Sequence, residues 1–167
     1  MGRVKEGFGT FLGNAGEHYV VGELLRRNII ADRAPRNAPG IDVLATSGPL
    51  SVNVRVKTKS DDADDWVWNA SKDGTLFRNL HNERDFTILV HLGKPPISPE
   101  FWVVPSSDLD KALKEAQKRW LDTPGKNGRR HDPQNRMHRI GKHDYQVKWL
   151  NQFKGRWELL LADLGMK

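Results

Sequence analysis

The chain has 167 residues, 27 Lys or Arg against 21 Asp or Glu, and a net charge of +6. It has no cysteine, which excludes a disulfide framework and a cysteine-rich zinc site and sets the expectation of a reducing, cytoplasmic compartment. No apolar run approaches the roughly 20 residues of a membrane span, the first residues hold no apolar signal segment, and the length predicts one domain over 1–167.

Residues 1–12 are glycine-rich, carry Phe8 and Phe11, and read as an N-terminal arm. Asn14 is placed to cap a helix, with Glu17 at capping-box spacing. Val20, Val21, Leu24 and Leu25 recur at helical intervals and predict a helix over 15–28. Arg26 and Arg27 fall in its last turn, where cations suit the helix dipole. Glu17 precedes Val20 and Val21 by three and four residues, so it projects from the apolar side. Either it caps its own helix or it points a carboxylate into the fold.

Residues 29–34 read as a short strand, and the prolines of 33–40 as a turn. Residues 41–46 are apolar on both faces except at Asp42, as in an internal strand, where a charge is rare unless paired or bound to a metal. Ser47-Gly48-Pro49 turns the chain into a hairpin. In the next strand Leu50, Val52, Val54 and Val56 face one way, and Ser51, Asn53, Arg55, Lys57 and Lys59 the other. Folding at Gly48-Pro49 sets Asp42 opposite Arg55, with Lys57 a diagonal neighbour about 7–8 Å away. A plain cross-strand ion pair between Asp42 and Arg55 is the alternative to a catalytic site.

The acidic run Asp61-Asp62-Ala63-Asp64-Asp65 opens an irregular or partly helical connection through Trp66 and Trp68 to His81. Its acids are a solvated turn or a second foothold for cations. At least one tryptophan is expected to pack on the sheet, and stacking on bases is the other use of such rings. Residues 86–92 and 101–104 read as buried strands. Ser106 or Ser107 is expected to cap a helix to about Trp120, with Leu109, Ala112, Leu113 and Ala116 inward. Residues 122–143 form a basic loop or arm holding Lys126, Arg129, Arg130, Arg136, Arg139 and Lys142. Its histidines, His131, His138 and His143, match no zinc-finger spacing. Residues 144–167 read as a helical segment, with Tyr145, Trp149 and Phe153 at four-residue steps and Trp157, Leu160, Leu161 and Leu164 packing back.

Phosphodiester hydrolysis proceeds under developing negative charge, which Mg²⁺ relieves while lowering the pKa of a bound water. Mg²⁺ takes oxygen ligands at about 2.0–2.1 Å and keeps several waters, so two carboxylates from different elements, Glu17 and Asp42, suit it. A neighbouring lysine, Lys57, can orient or deprotonate the water.

The order GExxVxxxL, then Ile41-Asp42, then an alternating strand ending Val56-Lys57-Thr58, resembles the PD-(D/E)XK nuclease superfamily. The likeness runs over residues 13–120 by element order. It implies an α/β fold with a restriction-endonuclease-like αβββαβ core, a mixed central sheet flanked by helices. It also implies Asp42 as motif acid, Lys57 as motif lysine, Glu17 as a helix acid joining the metal site, and Mg²⁺ or Mn²⁺ as cofactor. Two departures stand out. Pro39 lies three positions before Asp42, and Arg55 occupies the place of an acid two residues before the lysine, although a guanidinium offers no lone pair to a cation. The resulting expectation is a metal-dependent DNA endonuclease, with Arg55, Lys59 and the six cations of 122–143 on the nucleic acid. The alternative is a nuclease-fold protein, impaired by Arg55, that binds nucleic acid or a protein partner without cleavage. Many members of the superfamily act as dimers, which makes a homodimer part of the expectation.

Overall fold

The computed structural model describes residues 3–35, 37–77, 80 and 84–166. Its centre is a five-stranded sheet in the order β1 (Ile30–Arg33), β2 (Val43–Ser47), β3 (Leu50–Ser60), β5 (Asp85–Leu92), β6 (Glu100–Pro105). Every pairing is antiparallel except β3–β5, so the sheet is mixed. A parallel pair cannot be joined by a hairpin. Residues 61–84 make the crossover and contribute β4 (Trp66–Asn69), which pairs with β7 (Met137–Ile140) in a two-stranded ribbon.

The alternation along β3 sorts the molecule into layers. Val52 and Val54 join Val43, Ala45, Ile88 and Val90 under helices α1 (Arg3–Leu25) and α4 (Trp157–Asp163), which bury Val20, Leu24, Trp157 and Leu160 there. Burying such a side chain fully contributes roughly 1.5–3 kcal/mol. On the opposite face Leu89, Trp102 and Val104 pack with Trp66 of β4 and Ile140 of β7. Helix α2 (Ser106–Asp122) adds Leu109 and Leu113, and α3 (Asp144–Asn151) adds Leu150. Residues 153–155 run beside β6, exchanging hydrogen bonds with Phe101 and Val103, and so cover that edge.

The mixed sheet between helical layers is the expected architecture, with α2 following β6. The hairpin, both buried strands and the inner stripe of α2 lie where patterning placed them. Several local expectations need correction. Helix α1 begins at Arg3, so 3–12 is helical and Asn14 is interior, with no capping box at Glu17. At Gly16 an added Cβ would collide with Thr58 Oγ1, so the helix approaches β3 backbone-first there. The helix ends at Leu25, leaving Arg26 and Arg27 beyond it; Arg27 pairs with Glu23. Ser106 is the first residue of α2 and not its cap, because its hydroxyl is buried against Thr87 Oγ1 at 2.8 Å. Trp66–Asn69 is a strand, and so is part of the expected basic arm, because each supplies the other's hydrogen bonds across about seventy residues. Helix α3 stops at Asn151, and its buried face is Gln146 and Leu150. His81 and the Phe8 side chain lie outside the described residues. Among the described residues no helix is long and apolar enough to cross a membrane.

Candidate functional site

Asp42 lies where β2 and β3 part. Its N–H donates to the Val54 carbonyl at 2.9 Å, and its own carbonyl accepts from the Ala34 N–H at 2.8 Å. Its Oδ2 accepts from the Val56 N–H at 2.7 Å. A carboxylate here substitutes for the strand carbonyl that the divergence removes, a charge-assisted bond stronger than the one it replaces. The register Val43↔Val54 puts Asp42 opposite Arg55, as the hairpin arithmetic requires.

Arg55 and Lys57 share the face of β3 turned toward the ribbon. Burial lowers the proton affinity of both; the Asp85 charge and, less strongly, Asp42 oppose this at Arg55, and Asp42 opposes it at Lys57. Asp85 is buried at 5% exposure and accepts a hydrogen bond from Asn53 Nδ2 at 3.1 Å. It escaped the sequence reading, although an acid opening the buried run Phe86–Leu92 was a usable signal. The Arg55 guanidinium rests on Gly40, where a Cβ would meet both terminal nitrogens at 2.6 Å. Gly40 also has φ +73°, a left-handed conformation that glycine alone adopts cheaply.

Each cation on this face has a ring beneath it. Arg55 Cζ is 5.3 Å from the Phe77 centroid, Lys57 Nζ 5.4 Å from Trp68, and Lys59 Nζ 4.3 Å from Trp66. These are cation–π distances. Trp66 is core, its Nε1 donating to the Val90 carbonyl at 3.3 Å.

Glu17 reaches the same end of the sheet from the other layer. Its Oε2 accepts from Arg33 Nε at 2.7 Å, and Arg33 Nη2 also donates to Asn14 Oδ1 at 3.0 Å. Arg33 stands opposite Val43, next in the chain to Asp42. The fold thus brings Asp42 and Lys57 together and gives Glu17 an arginine as counter-ion. Among the described residues no three His, Asp or Glu side chains form a cation-sized cluster.

The basic stretch divides in two. Asp61, Asp62 and Asp64 are exposed in a turn, as a solvated run would be, whereas Asp65 is buried and pairs with Arg139 of the ribbon at 3.2 Å; Lys142 approaches Asp64 at 3.4 Å. Lys59 Nζ donates to the Asp64 carbonyl at 3.0 Å. Arg136 Nη1 approaches the Ala70 carbonyl at 3.5 Å. Lys126, Arg129 and Arg130 are exposed on the loop after α2. The histidines are dispersed: His131 stacks on Trp120, His138 is buried with Nδ1 at 3.0 Å from the Arg136 carbonyl, and His143 stacks on Tyr145.

No family model matches the chain, and no curated protein matches it by sequence. One solved structure, described as a bacterial homing endonuclease, I-Ssp6803I, is similar over 92% of each chain, with a TM-score of 0.51 and 12% identity. At that identity the likeness speaks for the fold: the mixed sheet between helices is nuclease-like.

Proposed function

We propose that the protein is a divalent-metal-dependent DNA endonuclease of the PD-(D/E)XK type. The observation that carries the reading is the pairing of Asp42, anchored where β2 and β3 diverge, with a half-buried Lys57 beside it, on a nuclease-like sheet. The donors suit Mg²⁺ or Mn²⁺, since carboxylate oxygens are the right chemistry and such ions need few protein ligands. Asp42 would hold the ion, with Glu17 as the second carboxylate once Arg33 yields it. A bound ion would supply neutralisation of charge at the scissile phosphate and a more acidic water.

The chain's own groups do the rest. Lys57 holds the attacking water and, in its neutral form, accepts its proton; burial favours that form. Arg55 offers a guanidinium to non-bridging phosphate oxygens. The exposed cations of 126–130 hold the DNA backbone in place without reading sequence.

A second reading is DNA binding without cleavage. Glu17 already has Arg33 as counter-ion, and an arginine stands at position 55 in place of an acid. Nicking of supercoiled and branched DNA with Mg²⁺ or Mn²⁺ separates the two. Wild type cleaves, and Asp42→Ala and Lys57→Ala each lose about 100-fold or more, as for loss of an acid–base or electrostatic group. Equal activity in all three proteins removes the assignment. An inert wild type that still binds DNA, and gains cleavage in Arg55→Glu, establishes the second reading.

A further inference from the structure

A second candidate site lies on the far side of the ribbon. A cavity of about 730 Å³ opens between the end of α2, strand β7 and the start of α3. Two stacked pairs of rings line it. Trp120 and His131 lie 3.9 Å apart at 22°, and His143 and Tyr145 5.9 Å apart at 8°. Arg119, next in the chain to Trp120, sets its Cζ 4.7 Å from the Tyr145 centroid. Tyr145 is 38% exposed.

The polar groups in this cavity suit a base. Gln117 Nε2 donates to the Asn135 carbonyl at 2.8 Å, and Asn135 Oδ1 accepts from the Met137 N–H at 2.8 Å. Each amide thus keeps one atom, Gln117 Oε1 and Asn135 Nδ2, without a hydrogen bond among the described residues. The charged groups of the lining are Arg119, Arg139 and Lys142 against Asp65 and Asp122, and Arg139 is paired with Asp65. The loop that presents His131 adds Lys126, Arg129 and Arg130, all exposed. That loop is shaped by its own hydrogen bond from Gly125 N–H to the Arg129 carbonyl at 2.9 Å. A Cβ at Gly125 would lie 3.0 Å from the His131 ring, so the ring is packed against the loop backbone.

We propose that this cleft takes an unpaired nucleotide of a DNA strand, its base stacking on the Trp120–His131 or Tyr145 rings and its phosphates on the loop cations. Aromatic platforms beside a basic loop are the chemistry by which single strands are held, and an apolar ligand would have no use for the cations. The inference rests on the reading of the protein as one that handles DNA, and adds a place for a base outside the duplex.

The test uses the full chain in EDTA with a short single-stranded oligonucleotide carrying one 2-aminopurine. Wild type should bind the strand and quench the fluorophore. Trp120→Ala and Tyr145→Ala should each weaken binding about tenfold with loss of quenching, as expected when one stacking ring is removed. Trp120→Phe, which keeps a ring, should restore most of both. The proposal is overturned if an abasic strand of equal length binds as well as the intact one, or if both alanine variants leave affinity and quenching unchanged. It is also overturned if dAMP alone binds as tightly as the strand, which would make the ligand a free nucleotide. Plasmid cleavage by the wild type separates the two readings: a wild type that cleaves but does not quench the fluorophore defeats this inference alone, and a wild type that quenches but does not cleave defeats the nuclease reading alone.

Discussion

Burial and charge act on Lys57 in opposite directions. Removal from water lowers its proton affinity below the ordinary lysine value of 10.5, and the neighbouring Asp42 carboxylate only partly restores it. The unfolded chain therefore holds a proton that the folded chain gives up between the lowered value and 10.5. Stability rises with pH across that window, and below it the cost of burying the ammonium is present in full. Lys57→Met should accordingly raise the urea midpoint at neutral pH, with the advantage over wild type shrinking as pH climbs toward 10.5. The same substitution should abolish nicking. A midpoint that falls at neutral pH would mean that Lys57 is kept for its contacts and not despite its charge. At this scale the meeting of Asp42 with Arg55 and Lys57 was legible in sequence, because a two-residue turn fixes who stands opposite whom. The partner of Glu17 was not. Arg33 is sixteen residues away and reaches it only because β1 folds back under α1.

Between elements, α1 meets β3 at a glycine. Gly16 leaves room for the Thr58 side chain, whose buried Oγ1 has no hydrogen-bond partner among the described residues. Gly16→Ala should destabilise by about 1–3 kcal/mol, the usual cost of overpacking, despite alanine's better helix propensity. Thr58→Ala should cost little, since it removes an unpartnered hydroxyl. Combined, the two changes should lose less than the sum of their separate effects, a coupling that equilibrium unfolding of the four proteins measures. Strict additivity would show that the two residues do not touch. Residues 1–12 read as an arm because glycines such as Gly7 and Gly9 each disfavour helix by about 1 kcal/mol, yet the helix begins at Arg3. At Gly16 the same lack of a side chain lets the helix pack closely on β3. The ribbon of β4 and β7 was hidden for a different reason. Four residues carry too little alternation to announce a strand, and the register partner Ile140 of Trp66 is distant in sequence.

Over the whole molecule the excess of positive charge is unevenly spent. Arg139 and Lys142 face acids of the 61–65 run, whereas Lys126, Arg129 and Arg130 stand exposed on one loop. Duplex binding should weaken with salt, and replacing those three by alanine should flatten the log–log slope by about 2–3, near 0.9 for each phosphate that is no longer neutralised. Replacing Arg139 and Lys142 should flatten it by less, because their charge is already partly matched. Anisotropy titrations over a range of salt concentrations measure both, and identical slopes for the loop variant and wild type would remove the loop from the DNA surface. What the amino-acid order determined unaided was the local geometry: apolar alternation, the glycine–proline turn, and hence the hairpin that sets Asp42 against Arg55 and Lys57. What only the folded chain decided was which charges and rings find each other over long separations: Glu17 with Arg33, the acidic run with the basic ribbon, the β3 cations with their aromatic floor. The reason is one of range. Strand alternation and a tight turn are settled within a few residues, but a long charged side chain takes its partner from whatever the packing of distant elements brings within its reach.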